Sequence, residues 1–318
     1  MTSETEAKQA TLTMSRSLDP TGSHPPSPYQ EGSLGYLVGQ AFSRSVDQIA
    51  RHDPGVRSGL DPEDLHQFRV GIRRLHSDLR TFAPPLKPKV LRRVGRELRW
   101  LGGAVGSIRD GDVLAKALES DARGLIRSDP HEVALLTSRL ARQNEAARTI
   151  MLVDLESDRF RTLCAALCDV AELPPFRSKS LRLALQRANE ASAEFVRKPW
   201  QGLNAGVHTL DTSPSDASLH RIRILVKRCR YAAEAVGPAV AGATEFAKAL
   251  AAGQTVLGDH HDTVVAEAWL TDAVRDTPEL ARLAYDLIFR QRSKRARARA
   301  KWPTTWTRAS AEELRAWL

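Results

Sequence analysis

The sequence predicts an all-α protein made of two pseudo-symmetric four-helix bundles related by an internal duplication. Three observations carry that expectation. Apolar residues recur at helical spacing from Ser33 almost to the end, and no segment alternates as a half-buried strand would. Hydrophobic residues make up 42% of the 318 and aromatics only 6%, with Ala, Leu and Arg frequent, a balance that favours helix over sheet. The stretch LHQFRVGIRRLHSDLR at 65–80 returns as LHRIRILVKRCRY at 219–231.

The repeat extends beyond that stretch. His66 and His220, Arg69 and Arg223, Arg73 and Lys227, and Arg74 and Arg228 pair at a spacing of 154. Further on, VGSIRD at 105–110 pairs with LGDHHD at 257–262 at a spacing of 152. A period this long indicates duplicated half-domains rather than a short-repeat solenoid. Each half is then a bundle of about four helices.

Residues 1–32 are rich in Thr, Ser and Pro and are expected to form a disordered tail. Within it, Glu4-Thr5-Glu6-Ala7-Lys8 fits a tunnel-phosphatase pattern, but a short polar tail cannot supply the surrounding β-barrel, so the fit is read as chance. A helix is expected over 35–52, stopped by Asp53-Pro54-Gly55. Asp61-Pro62 supplies an N-cap and a first-turn proline for the motif helix, with Glu63 and Asp64 at the positive end of its dipole. Ala83-Pro84-Pro85 ends it. Further helices are expected over 87–101, closed by Gly102-Gly103, then 107–123, 130–155, 158–173 and 178–198, with Pro199 as a stop. A looser stretch over 200–215 leads to the second motif helix, which ends at Gly237-Pro238. Helices over 243–257, 259–274 and from Thr277-Pro278 to about 301 complete the set. The domain spans 33–306, in halves of about 33–175 and 178–306, and 307–318 is a C-terminal segment.

Each motif helix has two faces. Leu65, Phe68, Ile72, Leu75 and Leu79 form an apolar side, and His66, Arg69, Arg73, His76 and Arg80 an adjacent row of cations. The second copy sets Leu219, Ile222, Val226 and Cys229 beside His220, Arg223, Lys227 and Arg230. Solvated helices usually mix signs, because like charges at i,i+4 repel. A one-sign row in the same register twice points to a polyanion as partner. The net charge of +9 agrees. Three cysteines give no disulfide framework, which favours a reducing interior. No apolar run is long enough to span a bilayer, and the N-terminal residues lack the order of a signal peptide. The expectation is a soluble, cytoplasmic protein with no membrane partner.

These residues resemble the CHAD family, the conserved histidine α-helical domain. Leu65–Arg74 and Leu219–Tyr231 are similar to its two LHxxRxxx(R/K)R signatures, and VGSIRDGDV at 105–113 and LGDHHD at 257–262 to its further landmarks. The resemblance covers about 33–306. It implies two pseudo-symmetric four-helix bundles, a basic groove between them that binds inorganic polyphosphate, and association with polyphosphate granules, where other granule proteins become partners. Many relatives carry a preceding tunnel triphosphatase domain. None is recognised in this sequence, so no enzyme activity, catalytic residue or cofactor is carried over.

The residues expected to bind are His66, Arg69, Arg73, Arg74 and Arg80 on the first motif helix, and His220, Arg223, Lys227, Arg228, Arg230 and Tyr231 on the second. Arginine suits phosphate because its planar fork donates two bonds at once. Histidine adds a donor that responds to pH. Lys89, Arg92, Arg96 and Arg99, flanked by Arg93, form another one-sign stripe and are expected to wall the groove, while Lys248 is nearly alone on the corresponding second-half helix. Arg109 and His261, at matched positions, are further candidates. Asp110, Asp112 and Asp262 could ligate a metal, but two carboxylates at i,i+2 do not share a helix face. They are read as structural, with Asp110 orienting a motif arginine. Cys164 and Cys168 read as core residues. Arg290, Lys294, Arg297 and Lys301 share one face of the last helix and read either as a solvated end or as an outer landing surface. The function expected is polyphosphate binding. The alternative is a nucleic-acid-binding helical protein, disfavoured because the cationic rows lack stacking aromatics beyond Tyr231.

Overall fold

The computed structural model describes residues 27–125 and 129–318. The expected tail lies outside the described residues up to 26. From Ser27 onward the chain already packs: the Tyr29 ring meets Phe176 edge-on at 5.4 Å. Among the described residues there is no strand, only two isolated bridges, Ser33 with Arg187 and Leu86 with Phe176. The fold is all-α, as the periodicity indicated.

Helix α1 covers Leu34–Ser58, capped by the Ser33 hydroxyl, which accepts from the Tyr36 amide at 3.2 Å. It closes on Gly59, whose φ of +68° is the left-handed conformation a glycine takes without steric cost. Helix α2, Pro62–Thr81, is the first motif helix, and the Asp61 carboxylate accepts from the Glu63 amide at 2.8 Å. Helix α3 is a single run, Pro88–Arg123, and α4 covers Pro130–Glu156. Helix α5 is Asp158–Glu172. Between 178 and 193 the chain makes a 3-10 turn and two single helical turns instead of the expected long helix. Helix α6, Glu194–His208, passes through Pro199. The second motif helix is α7, Asp216–Val236; α8 runs Ala243–Asp276 without a break, and α9 covers Ala281–Ala309.

In the first half, α1, α2, α3 and α4 pack in sequence order; in the second, α6, α7, α8 and α9 do the same. The halves meet where α2 crosses α7 and where α9 reaches α3. The crossing of α1 and α2 is close at Gly71, where a Cβ would sit 2.8 Å from Ile49 Cγ1. The core does not divide at 174–178. One cluster runs from Phe42, Phe68 and Phe82 through Leu203 and Val226 to Phe246, so the motif helices bury their apolar faces in shared rather than separate interiors. Each fully buried side chain of that size contributes about 2–3 kcal/mol. A second cluster is also shared, between Leu118 of α3, Leu136 and Leu140 of α4, Leu270 of α8 and Leu287 of α9. The last residues belong to the same body, with Trp317 set against Phe246 at 6.0 Å.

Candidate functional site

With their apolar faces committed to the core, α2 and α7 turn their cationic rows toward each other. They border a cleft of about 1320 Å³. From α2 come His66, Arg69 and Arg73; from α7, Arg223, Lys227 and Tyr231. The middle of α3 adds Arg109 and Asp110, and α8 adds Asp259, His261 and Asp262. The last wall is α9, with Lys294, Arg297, Lys301 and Arg308. Nine Lys and Arg side chains thus face three aspartates.

Few of those cations are neutralised. Arg69 donates to Asp110 at 2.9 Å, the orienting role expected of that carboxylate. Arg73 and Arg223 each carry a buried Nε with no hydrogen-bond partner. A buried donor left unpaired costs about 1–3 kcal/mol, more when charged. The two residues lie one on each motif helix, and both line the cleft, although these Nε atoms themselves are shielded from solvent. The guanidinium of Arg73 lies 5.9 Å from the centre of the Tyr231 ring, and that of Arg230 lies 5.4 Å from it. Tyr231 is itself buried beneath them.

The crowding shows in the titratable groups. Burial first, then the charges of Arg223, Arg73 and Arg69, push the Lys227 ammonium down to about 8. Burial also lowers the His66 imidazole, with Arg109, Arg73 and Arg69 adding to the effect and Glu63 opposing it. His261 is pushed down to about 4 by burial and by Arg223, His220 and His260. An anion entering the cleft relieves the repulsion that all three feel.

The α9 wall is held by carboxylates on other elements. Asp216, the first residue of α7, accepts from His260 at 3.0 Å and from Arg295 at 3.3 Å, and also pairs with Arg299. Glu267 takes Arg292 at 2.6 Å and Arg295 at 2.5 Å. Asp121 holds Lys294 at 2.5 Å and Arg290 at 3.3 Å. Arg297 and Arg308 have no carboxylate partner among the described residues and line the cleft, as does Lys301, whose charge acts on the Asp259 carboxyl without a close ion pair.

Several expected site residues lie elsewhere. Arg74 and Arg228 follow Arg73 and Lys227 by one residue, about 100° around the helix, and are exposed on another face. Arg80 keeps the angular position of Arg73 but sits about 10 Å further along the axis, beyond the cleft lining. Arg230 pairs with Glu234 at 2.7 Å. His220 does not line the cleft; its Nδ1 lies 3.3 Å from that of His261, which does. Lys89, Arg92, Arg96 and Arg99 are not a wall of the cleft. They sit on the first turns of α3, and it is the middle of that helix, from Arg109 to Ala117, that reaches the cleft. Arg308, Gln254 and Asp259 were not singled out from the sequence, which carries no local signal for them. Among the described residues no group of three His, Cys, Asp or Glu is placed to hold a metal ion. Asp112 instead accepts from Asn144 at 3.0 Å. Cys164 and Cys229 are buried, which raises both thiols well above their ordinary value. No helix among the described residues is long and apolar enough to cross a membrane.

Comparison with known proteins adds the following. The family model described as "CHAD domain" matches residues 40–271. Two curated relatives from Mycobacterium tuberculosis, uncharacterized proteins MT2285 and Rv2226, are each 30% identical over 261 residues, covering 80% of this chain and 49% of their own length. The chain therefore spans about half the length of these relatives. Among solved structures, the CHAD domain from the plant Ricinus communis superposes with a TM-score of 0.71 at 26% identity, covering 90% of this chain and 94% of that one. PptA from Streptomyces chartreusis shares the fold, with a TM-score of 0.73 at 22% identity over 86% of this chain and 99% of that one.

Proposed function

This chain belongs to the CHAD domain family, and from that premise we propose that its cleft binds inorganic polyphosphate. The observation that carries the reading is the convergence of the two motif helices on one cleft, where Arg69, Arg73, Arg223 and Lys227 line the same space and, among the described residues, only Arg69 of the four has a carboxylate within ion-pair distance. A single linear polyanion laid along α2 and α7 meets both cationic rows at once. Binding is electrostatic: the cations replace the counterions that the polyanion sheds, so affinity falls steeply with salt. Arg73 and Arg223 supply forked donors, Arg69 is aimed by Asp110, and Arg297 and Lys301 close the far side. The chain is read as a binder that leaves polyphosphate intact and gathers at polyphosphate granules with other granule proteins. Incubation followed by gel sizing of the polymer tests the first point; imaging of the tagged protein tests the second.

Nucleic acid is the competing polyanion. Sites for single strands usually add aromatic faces on which bases stack. The aromatic residue of this cleft, Tyr231, is buried and lies beneath two guanidiniums. Long-chain polyphosphate should therefore displace duplex DNA of equal phosphate content at physiological salt. Equal competition would replace this reading with the nucleic-acid one.

A further inference from the structure

The cations missing from the cleft are not scattered. Between α3 and α5 lies a separate hollow of about 510 Å³, lined by Arg93, Arg96 and Arg159 over an apolar floor that includes Val94 and Leu163. Its one carboxylate, Glu97, accepts from Arg96 Nε at 2.8 Å and from Arg159 Nε at 2.6 Å. Each of those arginines thus spends one nitrogen on Glu97 and keeps its two Nη groups, the fork that grips phosphate. Arg93 has no carboxylate partner among the described residues.

The run continues past the hollow. Arg99 is one helical turn beyond Arg96 on the same exposed side of α3. It is close enough to Arg80 of α2 for the two guanidiniums to repel, and Arg228 of α7 adds to that repulsion; burial comes first in holding Arg80 below its ordinary value. Arg80, Arg99 and Arg228 are all exposed, and none has a carboxylate partner among the described residues. None of these side chains lines the cleft. A surface evolved only for solubility intersperses signs; this one gathers cations from four helices around a single shared carboxylate.

We propose that this outer face, from the hollow at Arg93, Arg96 and Arg159 to Arg99, Arg80 and Arg228, is a second polyphosphate-binding surface, separate from the cleft. One molecule then holds two chain segments and bridges them. The face itself stands on its own geometry, while its ligand class rests on the reading of the cleft. Polyphosphate is favoured over nucleic acid because Trp100, the aromatic residue beside the hollow, is covered by the Arg159 guanidinium at 4.0 Å, which leaves no open ring for a base.

The test compares the full chain with two variants: Arg80→Gln/Arg93→Gln/Arg99→Gln on the outer face, and Arg73→Ala/Arg223→Ala in the cleft. Tripolyphosphate affinity is read by calorimetry, and bridging by light scattering on titration with long-chain polyphosphate. The outer variant should bind tripolyphosphate within about twofold of wild type yet scatter at least about fivefold less, since bridging needs two linked sites. Scattering equal to wild type would overturn the proposal. Should the cleft variant keep its affinity for long-chain polymer, and the outer changes abolish it, the second surface stands and the cleft reading falls. If the outer variant also loses tripolyphosphate while its melting temperature is unchanged, the two faces are one site and the proposal is wrong. If wild type binds neither polymer, both readings fall.

Discussion

Lys227 should impose an alkaline limb on binding. Its ammonium is held at about 8 by burial and by Arg223, Arg73 and Arg69. A polyanion in the cleft cancels that repulsion, so in the complex the group returns toward its ordinary value of about 10.4. Proton and ligand binding are then linked. At pH 7 the free protein already carries about nine-tenths of the proton; at pH 9 it carries about one-tenth. The complex stays protonated at both. Apparent affinity therefore falls about tenfold between pH 7 and pH 9 from this one group, or about 1.4 kcal/mol. At pH 8.5, binding takes up about three-quarters of a proton. The assay is calorimetry with long-chain polyphosphate, whose internal groups do not titrate in this range, in two buffers of different ionisation enthalpy. Lys227→Arg keeps the charge and removes the titration, so its affinity should be nearly flat and its proton uptake close to zero. If wild type and Lys227→Arg weaken in parallel, the lysine does not face the ligand and the geometry assigned to it is wrong.

Three further outcomes are expected. The acid side should show the opposite trend: His66 is lowered in the free protein and regains its proton beside a polyanion, so binding tightens from pH 8 to pH 6 by more than in His66→Gln/His220→Gln; matching profiles would assign the histidines to structure alone. Asp216→Asn should loosen the α9 wall, so that Arg297→Ala/Lys301→Ala costs clearly less affinity in that background than in wild type, measured as a double-mutant cycle; full additivity, or a gain in affinity from the released Arg295 and Arg299, would sink the positioning role. Asp78 is buried between α1 and α2 with its carboxyl raised to about 7; the folded state keeps a proton that the unfolded chain sheds above about 4, so wild-type stability should decline as pH rises from about 4 to about 7, by up to a few kcal/mol in all, and level off above that. Asp78→Asn should flatten that decline, and equal melting-temperature loss between pH 5.5 and pH 8 in both proteins would contradict it.

The helices were legible where end chemistry is local. Asp61 with Pro62, Asp129 with Pro130, and Ser157 and Ser215 each cap a helix as their residue types suggest. Stops were over-read. Gly102-Gly103, Pro54 and Pro199 all lie inside helices. A mid-helix glycine costs only about 1 kcal/mol relative to alanine, and long-range packing exceeds that. In α3 the glycines also admit neighbours: a Cβ on Gly102 would touch Ile72 at 3.5 Å, and one on Gly106 would lie 3.9 Å from Arg69 Nη2. At the site, the motif rows converged because the side chains three and four residues apart on α2 and α7 share one face. The role of α9 was not readable. Its basic face was visible, but which cations are spent depends on Asp121, Asp216 and Glu267, and Asp121 lies 173 residues from Lys294. The stripe at Lys89 to Arg99 was placed on the groove by sequence adjacency, a criterion that does not say which end of a 36-residue helix meets the cleft.

The central claim is that one polyanion spans α2 and α7. The most direct measurement is calorimetry at physiological salt with a polyphosphate shorter than the cleft, on wild type, Arg69→Ala/Arg73→Ala and Arg223→Ala/Lys227→Ala. The account predicts that each pair of changes removes the whole high-affinity phase, because the ligand needs both rows together. If each variant instead keeps half the wild-type stoichiometry at wild-type affinity, the two rows are independent sites and the shared cleft is wrong.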